Sequence, residues 1–99
     1  MPNPRAEESS PMESMESFLQ KPLPETISEL EAQMAVIAAV QKQCSQKIRE
    51  LMDAEDVEKG IVFPQEIHEL HQQKNMLETH MQYRRVRINR LRLYKGLAR

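Results

Sequence analysis

Apolar residues recur in steps of three and four along the middle of the chain, which is the spacing of one helical face. Thr26-Ile-Ser-Glu29 opens this segment as a capping box, in which the threonine hydroxyl accepts a hydrogen bond from a free amide of the first turn. The pattern predicts a first long helix over about residues 26–56, and Gly60 can adopt the left-handed conformation of a C-cap. Its apolar stripe consists of Ile27, Leu30, Met34, Ile37, Cys44, Ile48 and Leu51.

A second long helix is predicted over about residues 64–95. Pro64 suits the first helical turn, where its missing amide hydrogen is not needed. About 30 residues without a helix breaker correspond to roughly 45 Å at 1.5 Å per residue. One apolar edge consists of Ile67, Leu70, Leu77, Met81, Ile88 and Leu91. A second edge, a third of a turn or more away, consists of Met76, Tyr83, Val86, Leu93 and Leu97.

Two apolar edges on one helix require a neighbour on each, and the first long helix supplies only one. We therefore expect an all-α fold of two long helices joined by a short linker. Partner helices complete it, in a heteromeric helical assembly.

The beginning of the chain differs in composition from the rest. Residues 1–17 combine three prolines, four serines and four glutamates, which offer little apolar surface to offset the entropy of ordering. We expect a disordered acidic leader over 1–17 and a helical assembly domain over 18–99. Phe18 and Leu19, before the proline-rich Lys21-Pro-Leu-Pro24, are expected in an extended or single-turn connector.

Candidate chemistry is sparse. His68 and His71 share one helical face, but no further ligands accompany them, so surface histidines are expected in place of a metal site. The single cysteine, Cys44, falls on the apolar stripe and is expected to be a buried thiol. There is no glycine-rich nucleotide loop, no nucleophile elbow and no apolar run of membrane-spanning length. We expect a protein that is not an enzyme, with no cofactor, small-molecule substrate or membrane partner.

Charge is distributed unevenly along the chain, although the formal net charge is only −1. Residues 1–32 are acidic and residues 74–99 are basic. Apolar residues interleave with the arginines from Arg84 onward, which spreads these cations around the helix. Arginine pairs well with carboxylates at interfaces, so protein ion pairs are the favoured reading. A solvated basic face and direct nucleic-acid contact remain the alternatives.

One stretch carries a family resemblance. Ile61-Val-Phe63, then Lys74, then the run from Tyr83 to Gly96 share a spacing of arginines, leucines and a closing glycine, formed by Arg84, Arg87, Ile88, Leu91, Arg92 and Gly96. This stretch resembles the end of the α-helical domain in the first-subunit family of the GINS complex, a four-subunit eukaryotic replication factor. Residues 18–52 are similar to that family only in being a preceding amphipathic helix.

The resemblance implies a non-catalytic structural subunit of a nuclear heterotetramer. That assembly supports the replicative helicase in initiation and elongation of DNA replication. The other GINS subunits would be the helical partners. The alternatives are a scaffold subunit of another helical complex, such as a kinetochore or transcription complex, and a basic-helix nucleic-acid-binding protein. The expected partner interface consists of Ile67, Leu70, Leu77, Met81, Tyr83, Arg84, Arg87, Ile88, Leu91, Arg92 and Leu93.

Overall fold

The computed structural model describes residues 10–97, with side chains described for residues 10–95. Three helices follow one another: α1, Pro11–Leu19; α2, Ile27–Ala54; and α3, Pro64–Leu97. No strand occurs in this part of the chain, so the all-α prediction is confirmed. Helices α2 and α3 form a long hairpin, and α1 packs along it, giving an elongated body of 66 × 40 × 19 Å.

Helix α1 corrects the prediction that residues 1–17 are a disordered leader. Residues 1–9 of that leader lie outside the described residues, but residues 11–17 are helical, and Phe18 and Leu19 end the same helix in place of a connector. Ser10 caps the helix by accepting from the Glu13 amide at 3.2 Å, and Pro11 occupies the first turn. A short apolar edge of Met12, Met15, Phe18 and Leu19 packs against the core. The overall composition of residues 1–17 is acidic and proline-rich, so it did not indicate this short apolar edge.

The long helices begin and end close to their predicted bounds. Thr26 caps α2, and its hydroxyl accepts from the Glu29 amide at 3.3 Å, as the capping box predicts. The predicted C-cap is wrong, because α2 ends at Ala54 with Glu55 as its cap. Gly60 does have a positive φ of 72°, but it belongs to the turn that connects the two helices. Asp56 and Ile61 close that turn as an antiparallel pair.

The core lies between all three helices. Leu77 and Met81 of α3 meet the buried stripe of α2, and Met15 of α1 closes the same cluster. Cys44 is buried in it, as predicted, and burial raises the pKa of its thiol. Helix α2 is thus the packed neighbour of α3, and α1, which packs against α2, reaches α3 only through side chains such as Phe18.

Candidate functional site

The inner face of α3, which we define as Leu70, Leu77, Met81, Arg84 and Ile88, packs against the chain's own helices. Leu77, Met81, Arg84 and Ile88 are buried there, although all four were expected at a partner interface. Leu70 is partly buried and packs against the same cluster. These side chains are covered without any other chain, because α2 packs along this face and side chains of α1 join the same cluster. They are therefore corrected to core residues of the isolated chain.

Arg84 is the one charged residue of this core, and only 1% of it is exposed. Its Nε donates to Gln33 Oε1 at 3.0 Å, and its Nη1 donates to the His80 backbone oxygen at 2.9 Å. The guanidinium carbon lies 5.4 Å from the centre of the Phe18 ring, which is a cation–π distance. Arg84 therefore ties α1, α2 and α3 together at one point.

No carboxylate within residues 10–95 reaches salt-bridge distance of Arg84, so the expected ion pair is wrong for this arginine. Burial lowers the pKa of the guanidinium from its ordinary value. The same burial, together with the Arg84 charge, lowers the pKa of His80. Neutral hydrogen-bond acceptors and an aromatic ring thus surround this cation. Because these contacts come from all three helices, they fix the position of α3 relative to α1 and α2.

The outer face of α3 is different: Tyr83, Val86, Leu93 and Tyr94 are exposed over roughly a 100° arc of the helix. Tyr83 is 54% exposed, Leu93 63% and Tyr94 69%. Tyr83 and Leu93 were predicted interface residues, whereas Tyr94 was missed, although it lies 11 residues after Tyr83 and so only about 20° away around the helix. This face is left uncovered by the helices of residues 10–97.

Cations border the outer face. Arg87 is partly buried and Arg90 is exposed, and neither forms an ion pair within the described side chains. Both line a shallow groove of about 240 Å³ with Tyr83, Val86 and Leu23, the last from the connector between α1 and α2. The groove is thus apolar in its middle and basic at its edge.

The other basic residues lie nearer α2. Arg92 contacts Glu31 at 3.7 Å, and Arg85 contacts Glu78 at 3.2 Å, both at exposed positions. Exposed pairs of this kind contribute little to stability, typically about 0–1 kcal/mol. Arg92 was expected to face a partner, and here it bridges two helices of its own chain.

The two remaining predicted interface residues are partly buried. Ile67 lies in the first turn of α3, and Leu91 lines a groove of about 450 Å³ where α2 begins and α3 ends. Tyr94 and Lys95 border that groove as well. Leu91 therefore faces the start of α2 and is only partly covered by it.

The described part of the chain also contains the histidine pair that shares one face of α3. The His, Cys, Asp and Glu side chains of this part form no group of three or more that is placed to hold a metal ion. His68 and His71 are both exposed. None of the three helices is both long and apolar enough to cross a membrane.

Comparison with known proteins gave no match. No family model fits the sequence, and no curated protein or solved structure is similar to it. The site therefore has to be interpreted from its own geometry.

Proposed function

We propose that the chain is a non-catalytic helical subunit that binds a partner protein through the outer face of α3. This proposal is supported by an apolar helical face that is exposed to solvent. Tyr83, Val86, Leu93 and Tyr94 repeat at helical spacing, yet no helix of the described chain covers them. Contiguous apolar surface bordered by polar groups is typical of protein interaction sites. Tyrosine and arginine are also the residues that most often dominate binding energy.

The arrangement of charge favours protein over nucleic acid as the partner. Phosphate binding is favoured where several cations share one solvent face. On α3 the cations are divided: Arg84 is buried, Arg85 and Arg92 pair with glutamates, and the outer face keeps Arg87 and Arg90 beside exposed apolar side chains. Two guanidiniums around an apolar centre match a helix that carries carboxylates beside its own apolar stripe.

A substitution at Leu93 tests the outer face directly. Leu93→Asp replaces an apolar contact of the proposed interface with a carboxylate, and burying that charge against an apolar partner stripe is unfavourable. Because Leu93 is exposed in the isolated chain, its replacement should change the free energy of unfolding by less than about 0.5 kcal/mol. The chain and its variant would be used to capture partners from cells, with bound proteins quantified by mass spectrometry and stability measured by urea denaturation.

The matched control is Met76→Asp, at another exposed apolar position of α3 but nearly five turns nearer the helix start than Leu93. We expect loss of the bound protein with Leu93→Asp and retention with Met76→Asp. Equal binding by all three proteins would contradict the proposal. A double Arg87→Ala, Arg90→Ala variant separates the alternatives, because these two arginines border the outer face. Loss of protein partners with unchanged DNA affinity supports a protein interface, and the reverse supports the nucleic-acid reading.

The GINS heterotetramer is the named candidate for the assembly, and a nuclear role at the replicative helicase follows from it. The support is the spacing of arginines and leucines between Tyr83 and Gly96. Co-expression with the other three subunits tests this candidate: co-elution as a tetramer is expected, and its absence leaves a scaffold role in another helical complex, such as a kinetochore or transcription complex.

A further inference from the structure

The turn between α2 and α3 displays apolar side chains at the opposite end of the molecule from the groove beside Arg87. Val57 is 82% exposed, and Ile61 and Val62 are also exposed. We call residues 55–62 the tip. Acidic residues flank its most exposed apolar side chain in the order Asp56-Val57-Glu58.

The tip is held in a fixed conformation by backbone hydrogen bonds. The Asp56 amide donates to the Ile61 carbonyl at 2.7 Å, and the Ile61 amide donates back at 2.9 Å. The Gly60 amide donates to the Val57 carbonyl at 3.1 Å, with Gly60 itself at positive φ. The exposed Val57 is therefore presented on an ordered turn, which lowers the entropy lost on binding.

The groove of Leu23, Tyr83, Val86, Arg87 and Arg90 has the complementary pattern. Its middle is apolar, its border carries two guanidiniums that form no ion pair with the side chains of residues 10–95, and α3 has no carboxylate after Glu78. A single chain cannot bring the two together. Val86 follows Ile61 by about 25 residues of a rigid helix, a separation of roughly 38 Å.

We propose that the tip of one copy docks in the groove of a second copy, with Val57 between Leu23 and Val86 and the carboxylates of Asp56 and Glu58 against Arg87 and Arg90. Each copy then keeps a free tip at one end and a free groove at the other. Such a contact joins different surfaces of the two copies, so it produces rings or open chains in place of a symmetric dimer. The contact adds self-assembly to the partner binding proposed above and shares part of the outer face with it.

Both surfaces are small, so the contact belongs to the weak, transient class. Sedimentation equilibrium of the full chain from about 10 μM to about 1 mM should show an average mass that rises with concentration. The rise should be smaller at about 1 M salt, where the Debye length is roughly 3 Å. A monomer throughout this range at low salt would overturn the proposal.

Two variants identify the surfaces. Val57→Asp disables the tip, and Arg90→Glu disables the groove, so each alone should remain monomeric. Lys42→Glu, a matched reversal of charge at an exposed position on α2, should associate like the unaltered chain. Circular dichroism would check that helicity is retained, and the milder Val57→Ser and Arg90→Ala would replace a variant that loses it. Association that survives both substitutions would overturn the assignment.

Mixing the two disabled variants gives the sharpest test. The intact tip of Arg90→Glu fits the intact groove of Val57→Asp, so the mixture should form a species of twice the monomer mass and nothing larger. A mixture that stays monomeric would refute a tip-to-groove contact. Val57 lies outside the outer face of α3, so Val57→Asp should still capture the partner protein. Loss of self-association with the partner retained, or the reverse, separates the two proposals.

Discussion

The two faces of α3 differ in whether other parts of the chain cover their side chains. The inner face combines Leu77, which is fully buried, with Arg84, whose charge is satisfied by groups of its own chain. The outer face has side chains of similar size, such as Tyr83 and Leu93, and leaves them in water. Sequence periodicity marks both faces as apolar and does not distinguish the covered one from the open one.

The difference comes mainly from α2, which packs along the inner face of α3, and α1 adds to that cover through its side chains. Helix α1 has nine residues and packs against α2, and its Met15 and Phe18 reach the inner face. Without it, Arg84 would lose its aromatic neighbour and Met81 part of its cover. A short helix can thus add aromatic and apolar cover to a face that a longer neighbour already occupies.

The largest expected effect compares matched leucines on the two faces. Leu77→Ala leaves a cavity in the core and should lower the free energy of unfolding by about 2–5 kcal/mol. Leu93→Ala removes an exposed side chain and should change it by less than about 0.5 kcal/mol. Urea denaturation monitored by circular dichroism measures both. Similar losses would mean that the two faces are covered to the same extent in solution.

A smaller effect is expected at Arg84, where size and charge can be separated. Arg84→Ala removes the packing against Phe18 and leaves Gln33 without its donor, so we expect a loss of about 1–3 kcal/mol. Arg84→Met also leaves Gln33 without its donor, but it keeps most of the packed volume and removes a desolvated charge, so its loss should be smaller than that of the alanine variant. The stability of the methionine variant should stay within about 1 kcal/mol of the unaltered chain.

The same denaturation series checks this expectation. A methionine variant as unstable as the alanine variant would show that the hydrogen bonds to Gln33 and His80, and not the packed volume, are what Arg84 contributes. The control is Arg90→Met, which makes the same exchange at an exposed position on the outer face.

Much of the fold could be predicted because its strongest signals are local. The cap at Thr26, the turn residue Gly60 and the period of α2 and α3 depend on neighbours in sequence. Helix α1 was missed because its apolar edge is only nine residues long and lies within an acidic, proline-containing segment. Its own signals, a serine cap followed by Pro11 and methionines three apart, were present but weak.

The site was harder to predict for a related reason. Periodicity located the apolar positions of α3, including the exposed Tyr83 and Leu93, but burial depends on which helix covers which face. The arginines show the same limit. Arg84 and Arg85 are adjacent in sequence, yet one is buried without a carboxylate and the other pairs with Glu78 at the surface.

The smallest expected effect concerns pH and the His80–Arg84 contact. Burial and the neighbouring cation lower the pKa of His80, so the unfolded chain binds more protons than the folded chain near the ordinary histidine pKa. The contribution of His80 to the free energy of unfolding is therefore fully present above the histidine pKa of the unfolded chain. It is lost as the pH falls toward the lowered pKa of the folded chain. Denaturation at roughly pH 7.5 and pH 5.5 brackets the range in which histidine titrates. His80→Gln should lose less stability across this interval than the unaltered chain.

The comparison is specific because both proteins keep His68 and His71, whose contributions cancel in the difference. The backbone oxygen that accepts from Arg84 Nη1 is also unchanged by the substitution. If both proteins lose the same stability between the two pH values, His80 is exposed to solvent, and the other helices do not cover α3 at this position. If only the unaltered chain responds, the buried cation beside His80 makes the covered face sensitive to acid. Because the His80 ring also packs edge-on against the ring of Tyr83, with the centroids 5.9 Å apart, binding through the outer face should weaken over the same pH interval.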